Sequence, residues 1–176
     1  MGGRDGDGPV SLMIIGESFV GTGVNAAHVN TVLGPREGPV GTAWVTALAT
    51  PRPGFAAFVA IAQPGVAVAP PMLSVNKAAI DGETHGKLTW GAAQAGVARG
   101  VGLALEEGVI DRGKAGDLVL IAAVWVNPSA DAAQAVYENN AAATLRALRS
   151  GVSGGPGIDE FLAAARAPFN PFFELT

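Results

Sequence analysis

The sequence predicts an α/β (α+β) fold, a two-layer sandwich in which one mixed β-sheet has helices packed on a face. Three observations lead there. Apolar segments follow the order strand, strand, helix, strand, strand, helix, strand, helix, which suits a single sheet with helices layered on it. The run from Leu118 to Val126 is nine residues of unbroken apolar character, about half of the roughly 20 needed to cross a bilayer as a helix, and reads as a fully buried strand. Charged residues make up 15% of the 176 and hydrophobic ones 49%, where about 25% charged is usual. So little of this chain is built to face water that a buried subunit interface is expected.

The elements follow from local patterns. Residues 1–11 are polar and glycine-rich, without the basic stretch and apolar core of a targeting signal, and are expected to be a flexible leader. A first strand is predicted over Leu12 to Val20, closed by a turn at Gly21-Thr-Gly23. Val24 to Leu33, taken as a strand, sends His28 and Asn30 to one face and Val29, Thr31 and Leu33 to the other. Gly34-Pro35 and Gly38-Pro39 bracket a loop. The spacing of Val40, Trp44 and Leu48 then predicts a short amphipathic helix, stopped by Pro51 and Pro53. Phe55 to Gln63 reads as a strand ended by Pro64, and Met72 to Ile80 as another, entered through Pro70-Pro71.

A long helix over Leu88 to Glu107 would align Trp90, Gln94, Val97, Val101 and Leu105 on one stripe, with Gln94 in its early turns and Gly108 as its stop. After the buried strand, Asn127-Pro128-Ser129 starts a last long helix, Ala130 to Ser150, ended by Gly151. The domain is thereby placed at 12–151. Residues 152–176 form a tail with a glycine-rich linker, a short helix near Ile158 to Arg166 and an aromatic end. Its Phe169, Phe172 and Phe173 are too apolar for free solvent and are expected to dock on the domain or a neighbour.

Composition narrows the function. Eleven Lys+Arg against fifteen Asp+Glu give a net charge of -4, and without a basic cluster nothing favours nucleic acid as a partner. The absence of cysteine removes disulfides, thiolate zinc sites and cysteine nucleophiles, and suits a cytoplasmic protein. His28 and His85 are far apart and neither has a carboxylate or second histidine at i+4, so no metal site is expected. No serine lies in a G-x-S-x-G elbow. Gly21-Thr-Gly23-Val-Asn-Ala26 matches the letters of the dinucleotide fingerprint, but no long crossover helix follows and the segment reads as a tight turn.

Two residues remain as candidates for chemistry. His28 has a reference pKa of about 6.5, which lets it both give and take a proton near neutrality, although a strand histidine taken alone is more often structural. Lys77 sits in an apolar strand, where an ammonium is costly unless it is paired or reaches a ligand; an edge-strand lysine that keeps off other chains is an equal alternative. His85, in Asp-Gly-Glu-Thr-His-Gly, reads as a solvated loop residue.

Read together, Gly16-Glu17-Ser-Phe-Val-Gly21-Thr-Gly23-Val-Asn25-Ala-Ala27-His28, Gly38-Pro39, Gly91-Ala-Ala-Gln94 and Glu107-Gly-Val-Ile110 make the chain resemble the formaldehyde-activating enzyme family. The likeness runs from about Ile15 to Ser150, and only the leader and tail look different. The resemblance implies a fold like the second domain of a small-subunit ribosomal protein and a homopentamer with sites between subunits. It also implies a hydro-lyase of one-carbon metabolism and formaldehyde detoxification, condensing formaldehyde with tetrahydromethanopterin as co-substrate, without a prosthetic group or metal. The family's general-acid histidine matches His28, its strand lysine Lys77 and its helix glutamine Gln94. Three substrate-binding positions depart: an aspartate is Asn30 here, a leucine is Val59 and a threonine is Ala79. Asn30 removes a negative charge and Ala79 a hydroxyl. These changes motivate an alternative, a non-catalytic or retuned paralogue that binds or senses a reduced pterin C1 carrier such as tetrahydrofolate.

Overall fold

The computed structural model describes residues 13–171. The expected leader, and Phe172 and Phe173 of the tail, lie outside the described residues. In chain order the elements are β1 (Ile14–Val20), β2 (Ala27–Pro35), α1 (Pro39–Ala49), β3 (Ala57–Val59), β4 (Ile61–Gln63) and β5 (Val66–Ala67). Then come β6 (Met72–Asn76), α2 (Gly82–Lys87), α3 (Gln94–Glu106), β7 (Leu118–Val126), α4 (Ala133–Val152) and α5 (Ile158–Ala164). A π-helical turn, Leu88–Ala93, joins α2 and α3 into one rod. Five strands form one mixed sheet in the order β1-β2-β7-β6-β3, parallel between β6 and β7 and antiparallel elsewhere. The predicted sandwich is the observed one.

The apolar run Leu118–Val126 is the central strand, with the limits its composition predicts. Its even-numbered residues, Leu120, Ala122, Val124 and Val126, join the core with Val97 and Val101 of α3 and Val136 and Leu148 of α4. β2 alternates in the same way: Ala27, Val29, Thr31 and Leu33 are buried, while His28, Asn30 and Val32 on the other face are half-buried. That second face is covered by α1 only at one end, where Trp44 and Val45 meet Val119 and Pro71 around a shared cavity. The other end of the face is open.

Small residues set the distance between layers. Side chains added at Gly96 and Gly100 of α3 would stand 2.3 Å from the Tyr137 carbonyl oxygen and 2.6 Å from that of Ala141 in α4, and one at Gly16 of β1 would stand 1.9 Å from that of Ala147. Gly151 belongs to the same seam. It was expected to stop the last helix, yet α4 continues to Val152, and a side chain at Gly151 would meet the Ile15 carbonyl oxygen at 2.9 Å. Its role is close approach to β1, and the turn out of the helix falls to Gly154 and Gly155, whose φ angles are 91° and 68°.

Other expectations are corrected by specific contacts. The strand predicted over Phe55 to Gln63 is two pieces. At Ala60 the chain leaves the main sheet after bonding the Met72 carbonyl, and β4 then pairs with β5 as a separate hairpin. The strand predicted over Met72 to Ile80 stops at Asn76. That side chain donates to the carbonyls of Gly54 and Ala78 at 2.8 and 2.7 Å and accepts from the Ala56 N–H at 3.1 Å, bending the chain away. The helical rod begins at Gly82, so Gln94 lies well inside it, after the π turn. That wider turn also rotates Trp90 off the predicted stripe, leaving it 47% exposed while Gln94, Val97 and Val101 are buried.

His85 is not a loop residue. It is 1% exposed in α2, where its Nδ1 accepts the Asp81 N–H at 3.0 Å and its Nε2 lies 3.1 Å from the Val126 carbonyl oxygen. Both contacts are satisfied only by the neutral Nε2–H tautomer. Gly100→Ala tests the helix seam: its Cβ would also fall 2.6 Å from Thr144 Cβ, and the overpacking should cost about 1–3 kcal/mol. Urea unfolding should show a lowered midpoint; an unchanged one would mean that α3 and α4 separate freely.

Candidate functional site

The open end of the sheet gathers the polar residues that the alternation of β2 presents. Antiparallel pairing sets Glu17 of β1 opposite Asn30 and Phe19 opposite His28. On the other side, β7 sets Ala123 opposite Asn30 and Trp125 opposite His28. All of these share one face, because opposed residues in a sheet point the same way. Lys77, one residue past the end of β6, bonds through its N–H to the Val124 carbonyl and continues this row beyond Trp125.

Two contacts organise the row. His28 Nε2 lies 2.9 Å from Glu17 Oε1, an ion-pair contact when the imidazole is protonated, with the two side chains 34% and 59% exposed. The Lys77 ammonium donates to Asn30 Oδ1 at 3.0 Å. Since β6 is an interior strand between β7 and β3, the edge-strand reading of Lys77 does not apply. The Phe19 and His28 rings lie 6.0 Å apart at 45°, so one side of the imidazole faces an aromatic wall.

The turn between β1 and β2 is shaped by its glycines and tied down by one asparagine. Gly21 and Gly23 have φ of 88° and 65°, conformations that glycine adopts without strain. Asn25 then ties the turn to the start of α4. Its amide donates to Asp131 Oδ1 at 2.8 Å and accepts the Asp131 and Ala132 N–H groups at 3.1 Å. The glycine motif is a structural turn, as its context predicted.

The structure therefore brings His28, Asn30 and Lys77 together and leaves three other predicted residues apart. Val59 is on β3, three strands from β2, a separation of about 14 Å at the usual strand spacing. It is aligned through Leu73 and Ile121 with Val32 rather than with His28. Gln94 is buried among the helices and donates to the Ile61 carbonyl at 2.7 Å, holding the β4–β5 hairpin. Ala79 is exposed beside Gly54. Sequence reasoning missed Glu17 and Trp125. Glu17 lies in the quoted Gly16-to-His28 motif, and hairpin register would have placed it across from residue 30; Trp125 had no signal beyond its strand.

Two cavities open on this face. One, of about 550 Å³, is bounded by Glu17, Phe19, His28, Phe169, Asn170 and Pro171. The C-terminal segment after α5 thus lies beside the histidine, although the Phe169 side chain remains 69% exposed. Among the described residues no group of three or more His, Asp or Glu converges as a metal site, and no helix is long and apolar enough to cross a membrane.

Comparison with known proteins places this geometry. The chain is 35% identical over 159 residues to the 5,6,7,8-tetrahydromethanopterin hydro-lyase of Methanosarcina barkeri, covering 90% of this chain and 89% of that protein. It is 34% identical over 158 residues to a bifunctional enzyme Fae/Hps of Archaeoglobus fulgidus and 36% identical over 151 residues to one of Methanococcoides burtonii. These alignments cover 90% and 86% of this chain but only 40% and 38% of the bifunctional proteins. The family model for the formaldehyde-activating enzyme matches residues 15–173, so the likeness extends past Ser150 into the tail. A match that includes the glycine turn, the His28 strand and the segment beside the histidine means that the chain belongs to the formaldehyde-activating enzyme family.

Proposed function

We propose that this protein is a carbon–oxygen lyase that condenses formaldehyde with tetrahydromethanopterin, giving methylene-tetrahydromethanopterin and water, with His28 as general acid. The observation that carries the reading is the His28–Glu17 pair, 2.9 Å apart at a cleft, in a chain aligned with nearly the whole of a hydro-lyase. One pterin amine attacks the formaldehyde carbon to give a carbinolamine. The hydroxyl leaves as water, and the second amine closes the ring on the resulting iminium. Loss of hydroxide is poor without a proton, and His28 supplies it, with Glu17 beside its ring. Holding the amines and formaldehyde together provides the rest of the acceleration.

Asn30 fits this scheme. The carboxylate that orients the histidine is Glu17, and the Asn30 amide is engaged by Lys77. The non-catalytic alternative thereby loses its main motive, the missing charge at position 30. Lys77 and Asn30 form the polar floor on which the pterin would rest, with Ala79 two residues beyond Lys77, while Val59 on β3 and Gln94 among the helices lie away from the same subunit's His28. In a ring of identical subunits they would serve a neighbour's site. The apolar exposure of Val45, Val66, Ile158 and Phe161 supports such an assembly, and a cytoplasmic location suits it.

The purified protein should accelerate methylene-tetrahydromethanopterin formation above the spontaneous rate, and an unchanged rate would overturn the proposal. His28→Ala should lower the enzymatic acceleration by about 100- to 10,000-fold. Glu17→Gln should reduce kcat by about tenfold with little change in KM, as expected when a general acid loses its orientation.

Asn30→Asp should retain activity within about threefold, because Glu17 already serves His28 and the new carboxylate would pair with Lys77. Abolished activity would place residue 30 directly on the reacting atoms. Sedimentation at micromolar concentration should show a species several times the 17.6 kDa of one chain.

A further inference from the structure

The chain has three lysines, Lys77, Lys87 and Lys114, and their surroundings differ. Lys87 pairs with Glu83 one helical turn away. Lys114 is exposed in the turn after α3. Of the three, only Lys77 stands on the face that carries His28. It lies one residue past β6, and its Nζ reaches across β7 to Asn30 Oδ1 at 3.0 Å. The residue of β7 opposite Asn30 is Ala123, whose single methyl group leaves that path open. Among the described residues no carboxylate pairs with Lys77; Glu17, on the same face, pairs with His28 instead. Asn30 and His28 are two positions apart on β2, roughly 7 Å along the strand. An amine and an imidazole thus share one open surface.

An amine next to a proton donor is what a carbonyl carbon needs to become an iminium. The amine supplies the electron pair that forms the new bond, and the acid removes the oxygen as water. The partner of Lys77 suits this use. The Asn30 amide orients Nζ without a negative charge, whereas a carboxylate at that position would favour the ammonium, which has no electron pair to give. Formaldehyde in water is mostly hydrated, so a protein that fixes its carbon as an iminium also delivers it dehydrated.

We infer that Lys77 is a covalent carrier of the one-carbon unit, capturing formaldehyde on Nζ before the pterin receives it. The uncharged amine adds to the carbonyl carbon, and the oxygen takes a proton to give a carbinolamine. Protonated His28 donates to that hydroxyl; the C–O bond breaks, water leaves, and the nitrogen electron pair closes the C=N bond of an iminium. A pterin amine then adds to the iminium carbon. The bond from that carbon to Nζ breaks and returns the lysine amine, leaving the iminium on the pterin nitrogen for ring closure. The carbon keeps its oxidation level throughout, so no oxidant or reductant takes part. The transfer step rests on the function proposed above, whereas capture needs only formaldehyde, Lys77 and His28.

Brief exposure of the full chain to formaldehyde and cyanoborohydride traps an iminium as N-methyl-lysine, and peptide mass mapping reads each lysine separately. Lys77 should be methylated about fivefold or more faster than Lys87 and Lys114. His28→Ala should bring Lys77 down to the rate of Lys114, and Asn30→Asp should slow it by about threefold; unchanged labelling of Lys114 reports that each variant is folded. Lys77→Arg keeps a cation and N–H donors but no amine. It should lower kcat for condensation by about tenfold or more, with KM for tetrahydromethanopterin within about threefold. Equal labelling of the three lysines, or labelling of Lys77 that ignores His28→Ala, overturns capture, and full kcat in Lys77→Arg overturns the carrier role. If those results come from a protein that still accelerates condensation, the functional reading stands without the carrier. Selective, His28-dependent labelling in a protein that does not accelerate condensation overturns the functional reading and leaves capture standing.

Discussion

The site depends on one constraint, the register of β2 between β1 and β7. A strand presents alternate residues to opposite faces, so the pairing that buries Ala27, Val29, Thr31 and Leu33 also turns His28 and Asn30 outward. A slip of one residue would expose the apolar set and bury the histidine. Burial of four side chains on the core face therefore decides which side chains stand on the other. The same register sets Glu17 and Phe19 on one side of that pair and Trp125 on the other, so the surroundings of His28 are fixed by backbone hydrogen bonds rather than by flexible loops.

The helix layer contributes by pressing β1 into place. β1 is an edge strand, and Glu17 acts on His28 only if that edge is held firmly. Gly16, immediately before Glu17, lets β1 lie against the Ala147 carbonyl of α4, and Gly151 lets the end of α4 approach Ile15. Asn25 ties the β1–β2 turn to the start of the same helix. Contacts at both ends of one helix thus hold the strand that carries Glu17 beside His28. Gly16 and Gly151, which look like loop punctuation in the sequence, are there for proximity.

This explains how much was legible beforehand. Period-two alternation read the faces of β2 correctly, and the unbroken apolar run gave β7 to the residue, because both signals are local and reinforced by burial. Failures occurred where a side chain redirects the backbone. Asn76 ends β6 through three hydrogen bonds, two of them to residues 20 and 22 positions away, which no local pattern reveals. The π turn before Gln94 shifts helical phase without any residue type that announces it. His85 lies in a hydrophilic run, yet its buried position comes from a carbonyl 41 residues distant. Glu17 was visible as a letter in the motif, but its role appears only once the hairpin pairs.

The distribution of the remaining predicted residues carries the argument beyond one chain. Val59 and Gln94 gather at the β3 end of the fold, and Gln94 grips the Ile61 carbonyl of a hairpin whose Ile61 and Val66 are themselves exposed. α1 contains no charged residue, and its Val45 and Leu48 are 58% and 39% exposed. A surface helix without charge is poorly solvated alone, and apolar residues facing water next to a clamped hairpin suit contact with another protein surface. Val59 lies about 14 Å from β2 at the usual strand spacing, so the β3 end and the open face around His28 are separate surfaces of one chain. The low charge content of the sequence is thereby visible as exposed apolar side chains on α1 and on the β4–β5 hairpin.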